Sequence, residues 1–209
     1  MRVASLRRVA YGKKRGFLVE AKCGRYRART IVEEPEVTVL DGVEHLGIEA
    51  FLEAPKSDSY FFRIEAPSTT IVFVEGKALE SSRYRNYVVT RPIKLVNGAH
   101  YRVRIEVFNP LPGSRISLWI SYGNIVEPAY VRCFVPASPY IPVASLTDGT
   151  EVELRKVGTI AKAIARNGIA QLDVSNVKHP IGGTMIIDGA AVAEVVDAWG
   201  GDVYIVEYT

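Results

Sequence analysis

The stretch Tyr101-Arg-Val-Arg-Ile-Glu-Val-Phe108 sets Tyr101, Val103, Ile105 and Val107 on one side of an extended backbone, and Arg102, Arg104, Glu106 and Phe108 on the other. Only a strand, whose side chains alternate with period two, separates apolar from charged residues in this order; a helical period would mix them. Asn97-Gly98 before it and Asn109-Pro-Leu-Pro-Gly113 after it are turn and loop signals. The pattern recurs along the chain. Residues 116–121 alternate again, and Phe51, residues 60–62, Ile64 and residues 71–74 form short runs broken by Pro55, Ser57-Asp58, Pro67 and Ser68. Residues 1–10, 17–23, 26–32 and 36–40 read as strands near the N-terminus. Short strands at intervals of roughly ten residues predict an all-β fold built as a sandwich or barrel.

Four prolines, Pro128, Pro136, Pro139 and Pro142, then fall close together. Proline removes ladder donors, so this stretch reads as an extended, semi-rigid linker or an edge crossing, and residues 136–144 are taken as a connector. A second strand pattern follows at 151–154, 169–174, 184–187, 191–196 and 203–208. Asp148-Gly149, Asn167-Gly168, Gly182-Gly183, Asp188-Gly189 and Gly200-Gly201 punctuate it. Within 157–166, Val157, Ile160 and Ile164 fit helical spacing, but Asn167-Gly168 directly after them favours a hairpin, and the segment is read as a strand. The expected organisation is a larger sandwich over 1–135, the connector 136–144, and a smaller β-sandwich over 145–209. In the larger one, residues 1–10 and 17–23 form a basic hairpin around the glycines of 11–16.

Charge is distributed unevenly. Residues 1–29 hold ten Lys/Arg against a single acid, Glu20, while the chain as a whole carries only +3. The excess belongs to one end, and the remainder is acidic. Such a segment suits nucleic acid, a membrane surface or an acidic neighbour, or is simply a solvated hairpin. Because the rest of the chain is acidic, an intersubunit contact through residues 1–29 in a homo-oligomer or particle is a further expectation. Cys23 and Cys133 have neither zinc spacing nor a CxxC. They are read as two buried thiols rather than one disulfide, although a hyperthermophilic host would make the disulfide more plausible. No apolar run reaches the ~18 residues of a membrane span, and the basic start breaks off before a signal peptide's apolar stretch. Neither a span nor ordinary secretion is expected, and localisation stays open.

Residues 46 to about 130 resemble the PA14 domain, a β-sandwich module of adhesins, glycosidases and toxins. Four stretches carry the likeness in order: Leu46-Gly-Ile-Glu-Ala-Phe-Leu-Glu-Ala-Pro-Lys-Ser-Asp-Ser-Tyr-Phe-Phe-Arg-Ile64, Thr70-Ile-Val-Phe-Val-Glu-Gly-Lys-Ala-Leu79, Ile93-Lys-Leu-Val-Asn-Gly-Ala-His-Tyr-Arg-Val-Arg-Ile-Glu-Val-Phe-Asn109 and Ser114-Arg-Ile-Ser-Leu-Trp-Ile-Ser-Tyr122. The resemblance implies a sandwich and an adhesion or carbohydrate-binding role. Sugar-binding members hold calcium with adjacent aspartates. This chain has no Asp-Asp pair and has Glu75 where the family often has Asp, with Asp58 and Glu80 as the other oxygen donors nearby. No metal or cofactor is therefore expected. The C-terminal part carries a fainter likeness to transthyretin-like or immunoglobulin-like modules in Asp148-Gly-Thr-Glu-Val-Glu-Leu and Asn167-Gly-Ile-Ala-Gln-Leu-Asp-Val.

The sequence contains no GxSxG, HExxH, GxxxxGK or GxGxxG, and His45, His100 and His179 lack ligand-like spacing. The expectation is a non-enzymatic structural or adhesion protein, a subunit of an assembled particle or surface structure such as a virion or tail component. The alternative is a carbohydrate-binding module associated with an enzyme. Candidate binding residues are Glu75, Arg83, Tyr84, Arg85, Asn86, Tyr87 and Phe108, because aromatic rings beside Arg and Asn suit sugar stacking or a protein interface. The competing reading packs those rings inside. Trp119 and Trp199 are expected in the core.

Overall fold

The structure, a computed structural model, describes residues 3–208. It is all-β, with a single 3-10 turn at Ala129–Arg132 and no α-helix among the described residues. Among the described residues no helix is long and apolar enough to cross a membrane. The chain forms two compact units: residues 15–135, and residues 1–14 together with 136–209.

Residues 15–135 make a sandwich of two sheets around one core. In the first sheet His100–Phe108 lies between His45–Glu53 and Thr69–Val74, and Phe17–Cys23 extends it on the far side of His45–Glu53, with Tyr26–Val32 outermost. In the second, Asp58–Glu65 lies between Arg115–Tyr122 and Tyr87–Thr90, with Ser81–Arg83 beyond the latter. The alternation predicted for 101–108 is present: Val103, Ile105 and Val107 are buried, while Arg102 and Phe108 are exposed. From the second sheet, Tyr60, Phe62, Ile64 and Ile120 meet them with no exposed surface. Each such side chain contributes roughly 1.5–3 kcal/mol by leaving water.

The two-ended unit is also a sandwich. One sheet runs Val3–Ala10, Val203–Tyr208, Tyr140–Ala144, Ile169–Asp173; the other runs Thr159–Ile164, Glu151–Arg155, Ile181–Ile187, Ala190–Ala198. Its core is aliphatic, with Ile141, Val143, Leu154, Leu172 and Met185 fully buried.

Two expectations fail here. Residues 3–10 do not pair with Phe17–Cys23; they run antiparallel to Val203–Tyr208, with Leu6 opposite Val206 and Arg8 opposite Tyr204. The glycines of 11–16 are not a hairpin tip. At Gly12 a Cβ would lie 2.3 Å from the Gly200 carbonyl oxygen, so the residue is glycine because two backbones touch there. The hairpin is instead formed by Phe17–Cys23 and Tyr26–Val32 through the two-residue loop Gly24-Arg25. Second, residues 140–144 are no connector. They form an interior strand, antiparallel to Ile169–Asp173 and parallel to Val203–Tyr208. Burial of Ile141 and Val143 outweighs the donor that Pro142 lacks.

Thr159–Ile164 is a strand paired with Glu151–Arg155. Asn167 and Gly168 take positive φ at 51° and 77° and close the next turn. Both cysteines are free, so no disulfide joins them. Cys133 is buried and its thiol is pushed up by desolvation, whereas Cys23, expected inside, is exposed at the end of its strand.

Candidate functional site

Asp58–Glu65 buries Tyr60, Phe62 and Ile64, so Phe61, Arg63 and Glu65 stand on the outer face of the second sheet. Register brings their neighbours beside them. Trp119 is opposite Arg63, Ser117 opposite Glu65, and Tyr87 opposite Glu65 from the other side. The side chains join into one strip. Trp119 Nε1 donates to Ser117 Oγ at 3.3 Å, and Ser117 Oγ donates to Glu65 at 3.1 Å. Arg63 pairs with Glu65 at 2.9 Å and lies over the Tyr87 ring, 4.4 Å from its centroid. Tyr87 stacks on Tyr84 with centroids 4.6 Å apart and planes within 17°. Tyr84, at the end of the strip, is 50% exposed.

The hairpin behind the strip explains its order. Ser81–Arg83 pairs with Tyr87–Thr90, and Tyr84 N–H donates to the Tyr87 carbonyl at 2.8 Å, closing the turn Tyr84-Arg85-Asn86. The Asn86 carbonyl accepts from Ala66 N–H, and Arg83 Nη1 donates to the Ser68 carbonyl at 3.0 Å. Val88 and Thr90 face inward, which turns Tyr87 outward. The two tyrosines are therefore not core residues. Arg63 above Tyr87 adds a cation–π contact, on the order of 0.5–1 kcal/mol at such sites.

The predicted residues do not all converge. Tyr84, Arg85, Asn86 and Tyr87 share the hairpin tip, and Arg83 is tied to Ser68 beside it. Glu75 lies apart, at the opposite end of Thr69–Val74 from Ser68. It occupies a two-residue turn with Gly76, at φ 51° and 76°, and accepts from Arg102 N–H at 2.7 Å. Its part is that of a turn residue. Phe108 belongs to the first sheet, where it is 39% exposed and its ring meets His45 at 5.0 Å. Of the oxygen donors named for calcium, Asp58 binds Ser59 N–H and Glu80 pairs with Arg91, away from Glu75. No cluster of three potential metal ligands occurs among the described residues.

Arg63, Glu65, Ser117 and Trp119 were not anticipated, and Trp119 is half-buried on the outer face rather than in the core. The signal was present: Ile116, Leu118 and Ile120 claim the inner phase, so Trp119 between Ser117 and Ser121 must face out. Trp199 is buried as expected, 5.3 Å from the His179 ring. A second charged cluster, on the first sheet, is a closed network. Arg102 and Arg104 bind Glu49, Arg104 also binds Glu106, and Glu106 binds His45. Gly47 leaves the space they cross, since a Cβ there would lie 3.2 Å from Arg104.

No family model and no curated protein matches the sequence. Solved structures do. An anti-sigma factor domain-containing protein is matched over 72% of this chain and 58% of its own, at 15% identity and a TM-score of 0.50. A PA14 sugar-binding domain from an RTX adhesin is matched over 40% of this chain and 49% of its own, at 16% identity and a TM-score of 0.34. The PA14 domain of an MpAFP antifreeze protein is matched over 61% of this chain and 71% of its own, at 7% identity and 0.36. The chain spans less than two thirds of the length of the anti-sigma factor structures it matches. At 15% identity the likeness to the anti-sigma factor structure is one of fold alone.

Proposed function

We propose that this chain is a non-enzymatic recognition protein of the adhesion type that binds carbohydrate through the outer face of its second sheet. The observation that carries the reading is the continuous strip Trp119–Ser117–Glu65–Arg63–Tyr87–Tyr84. A pyranose offers one apolar face and a rim of hydroxyl groups. The half-exposed ring of Tyr84 supplies a stacking surface at low entropic cost, and Arg63, Glu65, Arg85 and Asn86 supply directional donors and acceptors around it. Arg63 and Glu65 hold one another in place, so little order remains to be imposed when a ligand arrives.

The PA14 reading is supported by the four sequence stretches, which fall in order on strands of one sandwich. It differs from a calcium lectin in relying on rings and charged pairs instead of a metal. The same reading makes the protein a subunit of an assembled particle or surface structure, such as a virion or tail component. A carbohydrate-binding module working beside an enzyme is the alternative role for the same surface.

The test is a glycan array probed with the full chain, with and without chelator. Retention of a defined glycan class, unchanged by chelator, is expected. Tyr84→Ala and Trp119→Ala should each weaken it by roughly 2 kcal/mol, about thirtyfold, while Tyr84→Ala moves stability by less than ~1 kcal/mol. No retained glycan, or retention indifferent to both substitutions, overturns the reading.

A further inference from the structure

Strand Tyr26–Val32 pairs with Phe17–Cys23 and, among the described residues, with no other strand. Its first five side chains are all exposed. Register fixes which backbone groups face outward. Lys22 stands opposite Arg27, and the Lys22 carbonyl accepts from Glu44 N–H on its other side. Lys22 and Arg27 are thus a non-hydrogen-bonded pair, and by alternation so are Glu20 with Arg29 and Leu18 with Ile31. Arg27, Arg29 and Ile31 turn their N–H and C=O groups away from the sheet, forming an open ladder one strand long.

Beside this edge the sandwich is open. A cavity of about 660 Å³ lies there, lined by Ala21, Ala28, Ile31, Val37, Leu40 and Val43 among others. Leu40 is 72% exposed at its mouth. Natural sheets normally blunt or cover such an edge. Here the edge carries Arg25, Arg27 and Arg29, of which Arg29 pairs with Glu20 at 2.9 Å. A second copy meeting this strand edge to edge would bring arginine against arginine, and like charges directly opposed are destabilising. A strand whose acidic residues fall beside Arg27 and Arg29, with apolar residues between them directed at the cavity, satisfies both features.

We propose that the Tyr26–Val32 edge accepts, by strand addition, an extended segment of another protein in which acidic and apolar residues alternate. Backbone hydrogen bonds from Arg27, Arg29 and Ile31 supply affinity. The arginines and the cavity select the sequence. This surface lies on the first sheet and does not depend on the carbohydrate reading.

The probe is a fluorescent seven-residue peptide of alternating Glu and Val, titrated into the full chain and followed by anisotropy. Saturable binding that weakens as salt rises is expected. A Lys/Val peptide, and a Glu/Val peptide with proline at its centre, should each bind at least tenfold more weakly. Arg27→Glu with Arg29→Glu should invert the preference between the Glu/Val and Lys/Val peptides without changing the melting temperature. Tyr84→Ala should leave peptide binding unchanged, which keeps this test separate from that of the sugar site. Equal binding of the Glu/Val and Lys/Val peptides overturns the proposal, as does Glu/Val binding untouched by the double charge reversal. Sedimentation showing self-association that the double reversal abolishes overturns the assignment of a foreign partner.

Discussion

The two units solve the same problem with different stretches of chain. Residues 15–135 complete a sandwich from one continuous run, around the rings of Tyr60, Phe62 and Tyr122. The other unit borrows its first strand from one end of the chain and its last from the other, with Val3 opposite Tyr208, and has an aliphatic core. Closure of the second depends on a polar knot. The buried Asp202 carboxylate accepts from Gly12 N–H and Trp199 N–H and lies 3.3 Å from Arg8. His179 sits against Trp199, its Nε2 accepting from Gly200 N–H at 3.0 Å. Each unit is therefore vulnerable in its own place: the contiguous one in its packing, the two-ended one in a few buried polar groups.

Deleting residues 3–10 should have the largest effect. It removes an entire strand from one sheet together with Arg8, the partner of Asp202. Hydrogen exchange is expected to lose protection across 140–208 while 45–122 stays protected. Protection lost equally in both would show that the units do not differ as described.

Asp202→Ala comes next. It strips the acceptor from two buried N–H groups and leaves Arg8 without its carboxylate. Breaking a buried pair of this kind costs about 3–5 kcal/mol, and the loss should again be confined to the two-ended unit. A denaturant titration followed by Trp199 fluorescence measures it.

Acid sharpens the contrast more gently. Burial pushes His179 down to about 4, from 6.5 for a free imidazole. Between those values the unfolded chain binds a proton that the folded chain refuses, so stability is complete above about pH 6.5 and is lost as pH falls toward 4. The effect is on the order of 3 kcal/mol. Melting between pH 7 and pH 4 should show it, and His179→Gln should flatten the curve. An unchanged slope in that variant would assign the acid sensitivity elsewhere.

The smallest effect concerns the thiols. Cys23 should react with a thiol reagent in the native protein, and Cys133 only after unfolding, with no change in stability before modification.

The sequence was most legible where pairing is local. The alternation of 101–108, the hairpin signals around Asn167-Gly168 and the outward phase of Tyr87 all depend on neighbours a few residues away. Nothing local announced that Leu6 would face Val206. Residues 3–10 show no clean alternation that would assign them a face, and the glycine that permits their docking, Gly12, is indistinguishable by composition from one in a turn. Prolines misled for a related reason: they report a missing donor, whereas the burial of Ile141 and Val143 is decided by partners far away in sequence. In the site, the hairpin tip was visible as a polar run with two tyrosines. Arg63 and Trp119 were not, because their place beside Tyr87 comes from strand order, which alternation does not encode. Glu75 stands apart from the hairpin tip for the opposite reason, since adjacency in sequence to Gly76 and Lys77 says nothing of the distance across a sheet.

The pairing of the first and last strands also decides how the protein answers a pull. Val3 and Tyr208 stand side by side, so the two strands are entered from the same end of their ladder. Tension applied at that end opens the ladder one rung at a time, as a zip opens, instead of shearing all its hydrogen bonds together. Residues 15–135 lie between the inner ends of that zip in the covalent chain. They carry no load until the outer strands have parted. A tether attached at both termini therefore has a weak first link and a protected cargo, and force spectroscopy should record a low first rupture followed by a higher one.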